Sequence, residues 1–176
     1  MTKAPLDGPE AKIRFPAAIG LGANLGDKTG QIRSALTAIA GLPATVVKAV
    51  SRFYRTEPVG LIEQDWFVNA VAVVETAMPP RPLLEGLLNI ETDLGRIRDR
   101  KWGPRLIDLD LLYYDRLVLE EAGLDLPHPW LARRRFVLIP LSDIAPDWIH
   151  PVLGLNTLEM LARLEGTSPE VEPLWA

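Results

Sequence analysis

The chain is organised around the stretch from Arg96 to Asp110, which has the sequence R-I-R-D-R-K-W-G-P-R-L-I-D-L-D. Its first ten residues carry five cations. The chain then turns apolar over 106–114, and this short run predicts a buried strand. Because residues two apart on a strand point to the same face, Asp108 and Asp110 are expected to project side by side, with their Cα atoms roughly 6–7 Å apart.

Two carboxylates on a core strand are costly unless something neutralises them. Mg²⁺ prefers carboxylate, water and phosphate oxygens as ligands, and guanidinium groups suit phosphate oxygens. The segment therefore predicts a magnesium-nucleotide site, with metal ligands on a strand and phosphate-binding cations on a loop. A solvated D-x-D face and a solvated arginine-rich loop are the plainer alternatives for each half alone, and the adjacency of the halves favours the functional interpretation.

The totals limit the class of protein. A length of 176 residues predicts one domain over 1–176, with a loose leader at 1–13. The net charge of −4 argues against a general nucleic-acid surface. The absence of cysteine excludes a thiolate nucleophile, and two histidines disfavour an imidazole zinc site. Because no apolar run is long enough for a membrane span or a signal peptide, we expect a cytoplasmic protein without a membrane partner.

Apolar periodicity predicts the order β-α-β-β-α-β, which is typical of an α+β, ferredoxin-like sandwich with helices on one face of an antiparallel sheet. A tight turn at 22–27 ends in Asp27 as a helix N-cap, and no Lys-Ser/Thr follows, which excludes a Walker loop. The predicted strands are 17–21, 46–56, 67–76 and 106–114, the two main helices lie around 32–39 and 83–94, an edge strand lies at 116–119, and short helices lie at 136–144 and 157–164.

Four side chains have two interpretations each. Asn69 interrupts an apolar strand, so its amide either bonds to a neighbouring loop or binds the edge of a heterocycle. Glu91 is in the last turn of a helix, where the macrodipole disfavours an anion; it is either a surface residue paired with Arg98 or it faces the nucleotide. Phe136 either packs in the core or stacks on a ring, and Trp102 either anchors its own loop or closes the site.

The motif Arg96-x-Arg98, followed by K-W-G-P-R-x-x-D-x-D-L-L from Lys101, closely resembles that of the hydroxymethyldihydropterin pyrophosphokinase family of folate synthesis. The resemblance covers nearly all of 15–150. It implies a ferredoxin-like fold with long catalytic loops. It also implies transfer of the terminal diphosphate of ATP to 6-hydroxymethyl-7,8-dihydropterin with release of AMP. Two Mg²⁺ would be held by Asp108 and Asp110, and the partners would be these two small molecules, with no oligomer.

The resemblance also assigns roles to single residues. The catalytic residues would be Asp108, Asp110, Arg96 and Arg105. ATP would be bound by Glu91, Arg96, Arg98, Lys101, Trp102, Arg105, Leu111, His128 and Arg134. The pterin would be bound by Thr56, Glu57, Val59, Phe67, Asn69, Trp102, Asp108 and Phe136.

This chain departs from the family pattern at Ala23, which replaces a serine, at Pro129, which replaces an aromatic residue, and in a loop around Lys101 that is one residue shorter. Two other functions remain open. A magnesium-dependent nucleotidyltransferase also uses D-x-D, but it usually carries a Gly-Ser turn shortly upstream, which is not found here. A non-catalytic nucleotide-binding module of ferredoxin-like fold would bind without turnover.

Overall fold

The computed structural model describes residues 14–58, 65–96, 105–164, 166 and 169–174. The predicted leader at 1–13 lies outside the described residues. The elements are β1 (Phe15–Ala23), α1 (Lys28–Ala40), β2 (Thr45–Val50), β3 (Tyr54–Thr56), β4 (Phe67–Thr76), α2 (Pro80–Asp93), β5 (Asp108–Tyr114), β6 (Leu119–Glu121), β7 (Leu124–Leu126), a 3₁₀ turn (Leu131–Arg133), α3 (Arg135–Ile144), α4 (Thr157–Ala162) and β8 (Val171–Pro173).

The main sheet has the order β5-β1-β4-β3-β8, and β2 also pairs with β4. Every pairing in it is antiparallel. With α1 between β1 and β2, and α2 between β4 and β5, this is the predicted ferredoxin-like βαββαβ arrangement, so the predicted fold class is confirmed. The arrangement places β1 in the middle, between the carboxylate strand β5 and the Asn69 strand β4.

Alternating side chains of the strands build the main core. Ile19 and Leu21 of β1 face α1 and α2 and meet Ile32, Leu83 and Leu87, all of which are buried. Each such side chain contributes about 1.5–3 kcal/mol when it leaves water. Helical spacing in α1 and α2 and a period of two in β1 therefore produce one common apolar layer.

A second layer covers part of the opposite sheet face. Ala18 and Val71 point to that face and pack with Leu138 and Leu141 of α3 and Met160 of α4. The sequence analysis places helices on one face of the sheet, whereas α3 and α4 also cover part of the second face, because the apolar side chains of β1 and β4 there require cover. The remainder of the face carries the polar side chains of the site. In the part of the chain that the structure describes, no helix combines the length and the apolar character of a membrane span.

Three local features differ from what the sequence analysis gives. The predicted strand 46–56 is two strands, because Ser51 uses its Oγ to accept from the Val71 N–H at 2.9 Å and interrupts the backbone ladder. The predicted edge strand at 116–119 is wrong, since β6 and β7 form a hairpin that turns at Gly123, with φ of +75°. The tail, for which no element was predicted, forms β8 on the outer edge of β3.

The N-cap of α1 is a testable feature of this fold. Asp27 accepts a hydrogen bond from the Gly30 N–H at 2.9 Å, as predicted. Asp27→Ala is expected to lower the free energy of unfolding by about 1 kcal/mol, because one N–H of the first turn loses its partner. Urea denaturation measures the change. Asp27→Asn keeps the acceptor and should stay close to wild type; equal losses in both variants would contradict the cap.

Candidate active site

The two carboxylates project from the same face of β5. In the register with β1, Asp108 lies opposite Gly22 and Asp110 lies opposite Gly20. Leu109 between them points into the core on the other face. Because glycine has no side chain, the space beside both carboxylates stays open. The period of two in the sequence thus produces the expected pair.

Asp108 is held by two guanidinium groups. Arg96 Nη1 donates to its Oδ1 at 2.7 Å, and Arg105 Nη1 pairs with its Oδ2. Arg105 is fixed in turn by Asn24, whose Oδ1 accepts from the Arg105 N–H at 2.7 Å. The negative charge of Asp108 is therefore balanced at the edge of the core.

Glu91 stands behind this pair and is 1% exposed, so its interpretation as a surface residue is wrong. Its Oε1 accepts from the Leu109 N–H at 2.7 Å, and its carboxylate pairs with Arg96. Burial raises the pKa of Glu91, while the Leu109 N–H and Arg96 oppose the shift. Glu91 thus ties the end of α2 to the start of the carboxylate strand.

Among the described residues, Asp110 has less charge compensation than Asp108. The nearest atom of Arg134, Nη1, lies 3.8 Å from Asp110 Oδ2, and the Asp110 side chain is 37% exposed. Burial and the neighbouring Asp108 charge raise the pKa of Asp110. A cation delivered to this face would therefore be attracted to Asp110.

Asn69 and Thr56 form a polar wall of the site, across from the carboxylates of β5. Asn69 Nδ2 donates to Thr56 Oγ1 at 2.6 Å, so the amide bonds to the end of strand β3. Gly22 lies beside Asn69 in the sheet, and a Cβ there would come within 2.9 Å of Asn69 Oδ1. The glycine therefore leaves room for the orientation of this amide.

The third wall comes from the start of α3. The Arg134 guanidinium lies 5.6 Å from the centre of the Phe136 ring. Phe136 packs against the second core and also lines the pocket, so its packing role is confirmed and stacking on a ring stays a prediction. The pocket is lined by Gly20, Leu21, Gly22, Thr56, Glu57, Phe67, Asn69, Ala70, Val71, Arg105, Asp108, Asp110, Arg134, Phe136 and Val137.

Some of the residues that line the pocket could not be recognised as site residues from the sequence. Gly20 and Gly22 alternate along a strand otherwise rich in apolar residues, and that alternation is a signal for open space on one face. Val71 and Val137 carry no such signal, because an apolar side chain that lines a pocket has the same sequence pattern as one in a core.

The other predicted site residues have separate places. The Leu111 side chain is buried in the core on the helix face, so a nucleotide contact there would have to come from its backbone. The His128 N–H donates to the Leu112 carbonyl at 2.9 Å, and burial together with Arg134 lowers the pKa of His128 to about 4. The predicted contacts of Val59, Arg98, Lys101 and Trp102 lie outside the described residues.

The donor set fits magnesium. Among the residues that the structure describes, no group of three or more histidine, cysteine and acidic side chains is placed to enclose a metal. Asp108 and Asp110 instead offer hard oxygens on one open face, and Mg²⁺ commonly takes one or two carboxylates and fills its other positions with water and substrate phosphate. The pair therefore suits a metal that arrives with a polyphosphate.

The family profile described as 7,8-dihydro-6-hydroxymethylpterin-pyrophosphokinase (HPPK) matches residues 18–146. The chain belongs to this family. It is 44% identical to the 2-amino-4-hydroxy-6-hydroxymethyldihydropteridine pyrophosphokinase of Methylorubrum extorquens, over 88% of this chain and 96% of that protein. It is also 44% identical to the enzyme of the same name from Pseudomonas aeruginosa, over 82% of this chain and 88% of that protein. The resemblance drawn from the motif is confirmed.

Longer chains contain the same unit. The folic acid synthesis protein FOL1 of Dictyostelium discoideum is 38% identical over 83% of this chain and 22% of its own length. A crystal structure of Plasmodium falciparum HPPK-DHPS superposes with a TM-score of 0.69 at 15% identity, over 89% of this chain and 45% of that one. At that identity the likeness supports the fold.

The close approach of Gly22 and Asn69 gives a test of the pocket. Gly22→Ala is expected to displace the Asn69 amide from Thr56, because the added Cβ would lie 2.9 Å from Asn69 Oδ1. The side-chain amide resonances of Asn69 in an ¹H–¹⁵N spectrum report this change. Gly20→Ala is the matched control on the same strand face, since its Cβ would meet Leu112 at an ordinary 3.5 Å. Equal amide shifts in both variants would contradict the steric interpretation.

Proposed function

We propose that this chain transfers the terminal diphosphate of ATP to the hydroxymethyl group of 6-hydroxymethyl-7,8-dihydropterin and releases AMP, in folate synthesis. The observation that carries the proposal is the position of Asp108 and Asp110. They share one strand face, with arginines on one side and a pocket lined by Asn69 and Phe136 on the other. Membership of the pyrophosphokinase family supports it.

The pterin would occupy the pocket between β3, β4 and α3. Phe67 and Phe136 offer aromatic surface for a flat ring, and Asn69 offers a donor and an acceptor for the ring edge. Thr56 Oγ1 holds the Asn69 amide, which fixes the direction in which its oxygen points. The hydroxymethyl group would then lie on the side of the pocket where Asp108 and Asp110 project.

The polyphosphate would lie along the arginines. Arg96 and Arg105 already flank Asp108, and Arg134 flanks Asp110, so phosphate oxygens that approach either carboxylate meet guanidinium donors. His128 adds a neutral imidazole near neutral pH, since its pKa is lowered to about 4. The proposed nucleotide site also includes Arg98, Lys101, Trp102, Glu91 and Leu111. The proposed pterin site also includes Glu57, Val59, Thr56 and Asp108.

Asp108 and Asp110 would hold two Mg²⁺. When bound, magnesium neutralises phosphate charge and lowers the pKa of an attacking hydroxyl. The residues of this chain hold the acceptor and donor in line and keep water from the transferring group. The β5 strand is suited to this task because its carboxylates are anchored by the core beneath them. The proposal also includes a monomeric protein that acts in the cytoplasm.

The products decide between this reaction and its rivals. Incubation of the chain with MgATP and 6-hydroxymethyl-7,8-dihydropterin is expected to give AMP and the pterin diphosphate, measured by chromatography. Accumulation of ADP would contradict the proposed bond cleavage. Release of inorganic diphosphate with AMP attached to the acceptor would indicate a nucleotidyltransferase, and binding without any turnover would indicate a binding module.

The carboxylates should be indispensable for turnover. Asp108→Asn and Asp110→Asn are each expected to lower kcat/KM by about 100-fold or more, which is about 2.7 kcal/mol of transition-state stabilisation. Removal of divalent cations with EDTA should abolish wild-type turnover, and added Mg²⁺ should restore it. Glu120→Gln, on the exposed side of β6, is the control and should keep wild-type activity. Full activity in either aspartate variant would exclude that residue as a metal ligand.

A further inference from the structure

Asp143 near the end of α3 collects hydrogen bonds from the segment that leads into the pocket. Its Oδ1 accepts from Arg52 Nη2 at 2.7 Å, and its Oδ2 accepts from the Arg52 N–H at 3.2 Å and from Tyr54 OH at 2.8 Å. Tyr54 is 3% exposed. Burial alone would raise the pKa of Asp143, but the bonds from Arg52 and Tyr54 outweigh burial and hold the pKa below its usual range. These three residues form what we name the Asp143 latch.

One end of the latch is the short strand β3. In its register with β4, Tyr54 lies opposite Asn69 and Thr56 lies opposite Phe67. Tyr54 and Thr56 share one strand face, and both are buried. Thr56 Oγ1, which accepts from the Asn69 amide, and Tyr54 OH, which donates to Asp143, therefore lie on the same face of β3. A shift of β3 at Tyr54 would also displace Thr56, two residues later.

The other end of the latch is α3, whose first residues form the opposite wall. Phe136 and Val137 line the pocket at the start of this helix. Asp143 lies seven residues beyond Phe136, which corresponds to about 10 Å along the helix axis. Asp143 itself is not among the residues that line the pocket. A single carboxylate thus joins the wall that carries Thr56 to the wall that carries Phe136.

We propose that Asp143 is a positioning residue for the pterin. It sets the separation between the Thr56–Asn69 wall and the Phe136 wall, and it does so without touching a substrate. The inference rests on the proposed function, because it assumes that the pterin occupies this pocket. The carboxylates on β5 are held by a different set of contacts, from Arg96, Arg105 and Glu91. The latch therefore affects pterin binding more than nucleotide binding.

Tyr54→Phe and Asp143→Asn test the latch. Tyr54→Phe keeps the ring and removes the hydroxyl donor alone. Isothermal titration calorimetry with 6-hydroxymethyl-7,8-dihydropterin, in the presence of a nonhydrolysable MgATP analogue, is expected to show Kd about tenfold higher, equivalent to about 1.4 kcal/mol. The Kd of the MgATP analogue, measured without pterin, should change by less than about twofold, which is small beside the roughly tenfold change expected for the pterin.

Glu121→Gln is the matched control. It weakens another arginine–carboxylate pair, Arg81–Glu121 at 2.9 Å, which joins α2 to β6 and lies apart from the pocket lining. Its pterin Kd should equal that of wild type.

Each outcome of the titrations decides the matter. An unchanged pterin Kd with a lower melting temperature would reduce the latch to a structural contact and overturn the proposal. An equal loss of affinity for pterin and nucleotide would also overturn it. If Asp143→Asn does not fold, Tyr54→Phe decides alone. If the wild-type chain itself fails to bind the pterin, the proposed function fails. If the wild-type chain binds the pterin and the variants bind it equally well, only the positioning role of Asp143 fails.

Discussion

Two carboxylates rooted in an apolar strand impose the constraint on which the rest of this structure depends. A pair of acidic groups at the edge of a core is destabilising unless cations neutralise it. Here Arg96 and Arg105 flank Asp108, Arg134 approaches Asp110, and Glu91 anchors the strand backbone from behind. Among the residues that the structure describes, Asp108 has two guanidinium partners and Asp110 has a more distant one. That inequality leaves a face that attracts a divalent cation together with its phosphate ligands.

The fold supplies the geometry that this constraint requires. The antiparallel sheet buries one face under α1 and α2, and α3 and α4 cover part of the other. The uncovered part holds the carboxylates and the Asn69 amide, and the start of α3 borders it. Glycines on β1 keep the space between them open. Positioning and charge neutralisation are what a diphosphoryl transfer demands of a protein. The carboxylates are fixed on β5, and the arginines beside them lie in the segments that adjoin α2, β5 and α3.

Features set by local pattern could be predicted from the sequence. The period of two placed Asp108 and Asp110 together, a nearly continuous apolar run gave the bounds of β4, and Asp27 was recognisable as an N-cap. Features set by partners distant in the chain could not. The break at Ser51 depends on Val71, and the burial of Glu91 depends on the Leu109 amide. Likewise β8 becomes a strand because β3 offers an edge, and the acceptor role of Asp143 requires α3 to cross β3.

The metal-binding role of the carboxylate pair can be measured directly. Titration of Mn²⁺ in the presence of a nonhydrolysable ATP analogue, followed by electron paramagnetic resonance, counts the ions bound by the wild-type chain and by the Asp108→Asn/Asp110→Asn double variant. About two ions are expected per wild-type chain, as in two-metal sites, after subtraction of the ions that free nucleotide binds in solution. The double variant is expected to lose them. Equal binding by both proteins would contradict the assignment of the metal site to Asp108 and Asp110.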